Sequence, residues 1–276
     1  MQKDSQTDSA NLERRFGGIK RLYGANALGA FQNAHICIVG IGGVGSWAAE
    51  ALARSAIGHI TLIDLDMIAE SNVNRQIHAL DDEFGKAKVT SMAVRIRAIN
   101  PACVVTEIED FVSIENLQTM LGTGFDYVID AIDNVRIKTA MIAWCKTHNT
   151  PVITSGSAGG QIDPTRIEIT DLARTVQDPL LSKVRSLLRK EHDFTRDLKK
   201  KFEVQAVFSS EPIKYPDNEA ENGNLCNVPA TPTGLNCAGF GSSVCVTAIF
   251  GLFAAGEVLQ HLARISGGSN RVKPDD

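Results

Sequence analysis

The first chemical signal is Gly40-Ile41-Gly42-Gly43-Val44-Gly45, a G-x-G-x-x-G run between an apolar, β-branched segment and a helix-patterned one. Gly40, Gly42, Gly43 and Gly45 let the backbone approach a phosphate chain. The helix that follows offers unpaired N–H groups and a partial positive charge. Asp64 ends the next apolar segment, 19 residues beyond Gly45, where an acidic residue binds ribose hydroxyls. Alone, these features indicate a nucleotide and fit a nicotinamide dinucleotide as well as ATP.

The following stretch separates the two. Asp64-Leu65-Asp66 precedes Ser71-Asn72-Val73-Asn74-Arg75-Gln76 and then Gly85-Lys86-Ala87-Lys88. A dinucleotide's pyrophosphate is satisfied by the glycine turn, whereas a triphosphate adds negative charge that asks for Arg and Lys. Asp130-Ala131-Ile132-Asp133-Asn134 closes another apolar run and sets a carboxylate at the same edge, where Mg²⁺ bridging phosphates would be held. This set suits a nucleoside triphosphate with Mg²⁺ rather than a nicotinamide dinucleotide.

Such residues need a scaffold that gathers them on one edge. Strand patterns start at His35, His59, Ala102, Asp126 and Pro151, and helical spacing fills SWAAEALARSAIG, KAKVTSMAVRIRAINP and NVRIKTAMIAWCKTHN. This alternation predicts an α/β fold: a doubly wound, mostly parallel Rossmann-like sheet with helices on both faces. After Gly160 the alternation stops. QIDPTRIEITDL reads as one or two edge strands, Asp178 to Phe202 as a charged helical stretch, and Val207 to Leu225 as a long crossing loop. Ala238 to Gly256 carries no charge and approaches the length of a membrane span. Its glycines, Ser242, Ser243, Thr247 and the following Glu257 mark a C-terminal apolar packing helix instead.

The chain has 276 residues and a formal net charge of −4, so nucleic acid would have to be gripped by a local patch. One exists: Lys183 to Lys201 holds eight Lys or Arg against three acids, ending in Lys199, Lys200 and Lys201. The six cysteines (Cys37, Cys103, Cys145, Cys226, Cys237 and Cys245) form no C-x-x-C pair, which suggests reduced thiols in a cytoplasmic enzyme rather than disulfides or a zinc site. Residues 1–11 read as a disordered polar tail and 266–276 as a second polar tail. Between them 12–265 read as a single domain, with a basic crossover segment at about 171–225.

The run from Ile36 to about Gly160 resembles the ubiquitin-activating enzyme superfamily, with the adenylyltransferases of molybdopterin and thiamine biosynthesis. The matching residues are the glycines Gly40 to Gly45, Asp64 and Asp66, Ser71 to Gln76, Lys88, and Asp130 to Asn134. The resemblance implies that Asp64 binds ribose, that Asn72, Arg75, Gln76 and Lys88 hold phosphates, and that Asp133 supports Mg²⁺. Asp66 and Asn134 complete this ATP site, and Arg75, Lys88 and Asp133 are its catalytic members. It further implies a homodimer in which an N-terminal arginine reaches the other subunit's ATP. Arg15 and Arg21 are the candidates, with helix capping or a surface position as the alternative for either.

Nearly the whole chain is similar to the narrower family of bacterial tRNA threonylcarbamoyladenosine dehydratases. The similarity is carried by RFGGIKRLYG, GGQIDPTRIEITDLA, QDPL, VFSSE and NCAGFGSS. It implies that ATP adenylylates the threonyl carboxylate of the modified adenosine beside the tRNA anticodon, and that the product cyclises with loss of AMP. Lys199, Lys200 and Lys201 would then hold tRNA, and a sulfur-transfer protein stays open as a further partner. The alternative substrate is the C-terminus of a ubiquitin-like sulfur carrier. Its activators usually carry two C-x-x-C pairs, absent here, and an arginine where this chain has Lys138. Ser155, Ser157 and Gln161 fall in a loop at the substrate edge.

Overall fold

The structure, a computed structural model, describes residues 11–214 and 240–267. The polar tails, most of the long crossing loop, and Cys226 and Cys237 lie outside those residues.

In chain order the main elements are α1 (Leu12–Tyr23), α2 (Ala25–Asn33), β1 (His35–Val39), α3 (Gly45–Arg54), β2 (His59–Ile63), α4 (Lys88–Ile99), β3 (Val104–Ile108), α5 (Leu117–Leu121), β4 (Tyr127–Asp130), α6 (Val135–Thr147), β5 (Val152–Ser155), β6 (Ile167–Asp171), α7 (Pro179–Glu191), β7 (Gln205–Ser209) and α8 (Val244–Ser266). The seven strands form one sheet in the order β3-β2-β1-β4-β5-β7-β6. Every neighbouring pair is parallel except β6 with β7. The chain winds outward from β1 through β2 to β3, then returns to β4 on the other side of β1. That reversal opens a crevice at the carboxyl ends of β1 and β4, where doubly wound sheets bind ligands.

Period-2 alternation divides the core between the two faces. Ile36 and Ile38 of β1 pack with Phe31, Leu52, Met92, Phe250 and Val258, under α2, α3, α4 and α8. Cys37 and Val39 point the other way, toward Met141, Cys145, Leu181 and Val184 of α6 and α7. The 23-residue α8 has the length and composition of a membrane span. Here it packs on α2, α3 and the sheet, with Val246, Phe250, Ala254, Val258 and Leu262 fully buried. Gly251 lies where a Cβ would meet the Val44 carbonyl oxygen at 2.4 Å, so α8 crosses directly behind the start of α3.

Two local readings need correction. Val207 to Ser209 belong to β7, not to a loop; Gln205–Ser209 is nearly all buried, so it lacks the polar alternation that reveals a half-exposed strand. The charged helix stops at Glu191, capped by His192, and Asp193 follows with a φ of 56°. Residues 192–202 fold back so that Phe194 meets Phe202 edge to face. Two N-terminal helices, α1 and α2, precede the sheet, with α2 packed on α8. Among the described cysteines, Cys37, Cys103 and Cys145 are buried and Cys245 is exposed, and none is in a disulfide.

Candidate active site

The glycine run turns from β1 into α3 at the crevice. Gly40 has a φ of 89°, and a Cβ on Gly45 would fall 1.8 Å from the Gly40 carbonyl oxygen, so no other residue fits the first turn of α3. The Asp64 carboxylate at the end of β2 accepts from the Ile41 N–H at 2.6 Å and from the Asp66 N–H at 2.8 Å. Burial pushes its pKa up, against the pull of Lys88. Lys88 opens α4 and is itself buried. Its ammonium lies 2.6 Å from Asp66 Oδ2 and 4.0 Å from Asp64 Oδ1. The D-x-D pair thus fixes one cation beside the glycine turn.

Arg75 approaches the same turn from the other side. Trp47 of α3 donates its indole N–H to the Arg75 carbonyl at 3.0 Å, and a Cβ on Gly43 would meet Arg75 Cγ at 3.1 Å. Among the described residues the guanidinium donates to the Ser71 carbonyl and Asn74 Oδ1 and pairs with no carboxylate. Asn72 is buried, and its Oδ1 accepts from the Ala69 N–H, closing a turn of 3₁₀ helix that shapes the loop.

Several buried polar atoms here have no partner among the described residues: Ser46 Oγ, Gln76 Oε1, both His78 ring nitrogens, Thr247 Oγ1 and the Gln161 amide. Thr247 Cβ lies 3.4 Å from where a Gly43 Cβ would be, so at least part of this set borders the glycine turn. An unpaired buried polar group costs about 1–3 kcal/mol, and such groups concentrate where a ligand completes them. His78 is a neutral imidazole at pH 7: burial, then Lys88, lowers its pKa to about 4.

The end of β4 separates two carboxylates that the sequence groups together. Asp130 is fully buried and pairs with the equally buried Lys138 at 2.8 Å; Thr154 donates to Asp130 at 2.7 Å and accepts from Lys138 at 3.0 Å. Asp130 therefore braces β4 against β5 and α6. Asp133, three residues on, is exposed at the crevice rim. Asn134 accepts from the Arg136 and Ile137 N–H groups as the N-cap of α6, a structural role beside the site role expected of it.

On the substrate side, Ser157 follows β5, and its N–H donates to Asp178, the N-cap of α7, at 2.9 Å. Ser155 is buried as the last residue of β5, and Gln161 is buried in the loop that follows it. The Gln161 backbone is held on both flanks, by Gly160 N–H to the Gly241 carbonyl and by Ile162 N–H to Glu211. Ser242, next in the chain to Gly241, accepts from Asn74, which ties this loop to the arginine loop.

The structure brings Gly40, Gly42, Gly43, Gly45, Asp64, Asp66, Asn72, Arg75, Gln76, Lys88, Asp133 and Asn134 to one edge. Arg15 and Arg21 do not join them. Arg15 donates to the Ala98 and Ile99 carbonyls at the C-terminus of α4, at the amino edge of the sheet, while Arg21 is exposed on α1. Lys199, Lys200 and Lys201 are exposed beyond α7, away from the crevice. Sequence reasoning missed the Asp130–Lys138–Thr154 triad, His78 and Asp178. A lone lysine inside the apolar KTAMIAWC stretch, and an Asp before Pro at a helix start, were the available signals.

Among the described residues no three His, Cys, Asp or Glu side chains cluster as a metal cage. Asp133 alone still fits Mg²⁺, which takes one or two carboxylates and completes its shell with phosphates and water.

The model of the ThiF family matches residues 18–274. The chain is 51% identical over 255 residues to a tRNA threonylcarbamoyladenosine dehydratase of Haemophilus influenzae, covering 92% of this chain and 95% of that protein. It is 52% identical over 253 residues to the Escherichia coli enzyme of the same name, covering 90% and 93%. A crystal structure of the E. coli tRNA N6-threonylcarbamoyladenosine dehydratase in complex with ATP superimposes with a TM-score of 0.83 at 48% identity, over 93% of this chain and 97% of that one.

Proposed function

The chain belongs to the ThiF family, and from that premise we propose that it is an ATP-dependent tRNA threonylcarbamoyladenosine dehydratase working through an acyl-adenylate. The observation that carries the proposal is the pair of cations on either side of the glycine turn: Lys88, fixed by Asp64 and Asp66, and Arg75, without a carboxylate partner among the described residues. Relatives of the same name cover nearly the whole chain, and one binds ATP.

ATP lies with its phosphates on the glycine turn and the first amides of α3, its ribose on Asp64, and its β- and γ-phosphates against Asn72, Arg75, Gln76 and Lys88. Asp66 keeps Lys88 oriented, and Asn134 holds the rim. The threonyl carboxylate attacks the α-phosphorus, the bond to the β-phosphate oxygen breaks, and pyrophosphate leaves. Arg75 and Lys88 stabilise the charge that collects on the departing oxygens. Asp133 would hold Mg²⁺, which when bound would add to the neutralisation of the phosphates. A nitrogen or oxygen of the same modification then attacks the activated carbonyl, and AMP leaves with one carboxylate oxygen as the ring closes and a proton is released. Net, the carboxylate loses one oxygen to AMP. The attack is intramolecular, so proximity supplies much of the acceleration.

The enzyme acts as a cytoplasmic homodimer on tRNA, and the chain from 12 to 265 forms one domain. A sulfur-transfer protein remains a further partner under this reading, and Lys199, Lys200 and Lys201 belong to its tRNA surface. A sulfur-carrier protein fits less well as substrate, because the sequence lacks the paired zinc cysteines of that branch. The deciding measurement is pyrophosphate release from ATP with modified tRNA, unmodified tRNA or a carrier protein offered separately, and calorimetry with ATP and NAD. Release only with modified tRNA, and binding of ATP but not NAD, is expected. Release driven by a carrier protein, or equal NAD affinity, refutes the proposal.

A further inference from the structure

The outer face of α7 carries Ser182, Arg185, Ser186, Arg189 and Lys190, spaced three and four residues apart, while Leu180, Leu181, Val184 and Leu188 face the core. With Arg196 from the fold-back segment, the polar face encloses a cleft of about 430 Å³. Among the described residues it is lined by four cations and two serines and by no carboxylate.

The cations are held in place without being neutralised. Arg185 is half-buried and donates to Thr175 Oγ1. The Arg189 guanidinium carbon sits 5.1 Å from the centre of the Phe202 ring, and its Nε donates to the Thr195 carbonyl at 3.3 Å. Among the described residues, Arg185, Arg189 and Arg196 have no ion-pair partner, and Lys190 only approaches its neighbour Glu191 at 4.0 Å. Burial, then Arg189 beside it, lowers the Arg185 pKa, against the weaker pull of the Asp178 carboxylate. Two guanidiniums side by side, hydrogen-bonded only to a hydroxyl and a carbonyl among the described residues and with most of their N–H donors unused, form a receptor for an anion.

The place of the cleft indicates which anion. Asp178, the N-cap of α7, grips Ser157 at the substrate edge of the sheet. Arg185 and Arg189 lie seven and eleven residues further on, about 10 and 16 Å along the helix at 1.5 Å per residue. α7 runs from that edge toward the amino ends of the strands, so a tRNA whose modified nucleotide sits in the crevice would lay its backbone along α7 to reach these cations. A neighbouring cleft, which contains Lys201, is lined by Asp171 and Glu203 together with Arg174, so its charge is mixed. We infer that the phosphodiester backbone of the tRNA substrate is gripped mainly in the α7 cleft by Arg185, Arg189, Lys190 and Arg196, rather than by Lys199 to Lys201. This rests on the tRNA substrate proposed above.

The test uses the full-length protein and tRNA carrying the modification, with affinity measured at several salt concentrations. Lys190→Glu with Arg196→Glu alters only surface charge. Arg189→Met keeps the packing on Phe202 and guards against a folding artefact. Each cleft variant should weaken tRNA about tenfold or more. The slope of log affinity against log salt should flatten by about 0.7–0.9 for each phosphate that the variant no longer neutralises. ATP affinity should stay unchanged, and reversal of Lys199, Lys200 and Lys201 together should have a smaller effect. Inorganic phosphate at constant ionic strength separates a free-anion site from a tRNA site. If the variants lose phosphate binding but keep wild-type tRNA affinity and slope, the inference is overturned. The same holds if neither ligand notices the variants, or if the Lys199–Lys201 reversal dominates. Wild-type protein that binds no tRNA would remove the proposed function as well, whereas tRNA binding indifferent to the variants removes only the cleft.

Discussion

Lys138→Met removes the ammonium that faces Asp130 inside the protein, and the structure sets the size of the effect. Both side chains are 0% exposed and 2.8 Å apart, and the remaining donors to Asp130 are the Thr154 hydroxyl at 2.7 Å and the Ile132 N–H at 3.3 Å. Breaking a buried pair by removing one partner costs about 3–5 kcal/mol, against a total stability of about 5–15 kcal/mol. With a urea dependence of about 2–3 kcal/mol per molar, the midpoint should fall by about 1–2 M. The loss should depend on pH. Burial raises the Asp130 pKa, and Lys138 opposes that rise; without the lysine, the folded-state value climbs further above the unfolded value of about 3.9. An acid raised in this way contributes stability below its unfolded pKa and loses it as pH rises through the folded pKa. The deficit should therefore be largest at pH 8 and shrink toward pH 5. Asp130→Asn added to Lys138→Met removes the stranded charge and should recover more than half of the lost midpoint. A single variant as stable as wild type at both pH values, or a double variant no better than the single, would refute the account of the triad as a charged brace.

Arg75→Ala, Lys88→Ala and Asp133→Ala should each lower turnover by about 100- to 1000-fold, or about 2.7–4 kcal/mol of transition-state stabilisation, with circular dichroism unchanged. Near-native turnover in any one would remove that residue from the proposed site. Light scattering should give a dimer, and mixing Arg21→Ala subunits with Lys88→Ala subunits should restore part of the activity. Arg15→Ala should instead lower the melting temperature, because Arg15 caps the carbonyl end of α4. Rescue by Arg15→Ala subunits and not by Arg21→Ala subunits would reverse the assignment.

The alternating strands and helices from His35 to Ser155 were legible because β-branched runs bounded by glycine, and helical spacing closed by Asn-Pro or His-Asn, have few other solutions. The nucleotide edge was legible for a related reason. Gly40, Gly45, Asp64 and Lys88 act through backbone approach and charge at fixed spacing, which a linear sequence records. What stayed hidden depends on contacts between distant segments. β7 is buried from both sides and shows no alternation. Asp130 and Asp133 look alike in sequence, yet one is sealed under Lys138 and the other stands at the rim. Arg15 and Arg21 sit six residues apart on one helix, and only the packing of α1 against the end of α4 separates their roles. The charge excess between Lys183 and Lys201 was visible, but its partition between a carboxylate-free cleft and a mixed one follows from a fold-back after Glu191 that no helical periodicity predicts.

The thiols bear on the second half-reaction. An acyl-adenylate can pass its acyl group to an enzyme cysteine or directly to an atom of its own substrate. A cysteine nucleophile must be a thiolate within reach of the crevice. Burial pushes Cys103 to about 11 and Cys145 to about 12, and drives Cys37 higher still. All three are packed in the core as neutral thiols, so none of these three can accept the acyl group at neutral pH; among the described cysteines that leaves Cys245, exposed at the start of α8. A threonylcarbamoyl group, by contrast, carries its own nucleophile a few bonds from the activated carbonyl. Well-oriented intramolecular reactions reach effective concentrations of about 10⁵–10⁸ M, far beyond what a protein thiol must supply. The demand on the protein is then geometric: keep the adenylate still and water out while the ring closes. The largely buried loop that follows Ser155, pinned by Asp178, Glu211 and Gly241, would meet that demand.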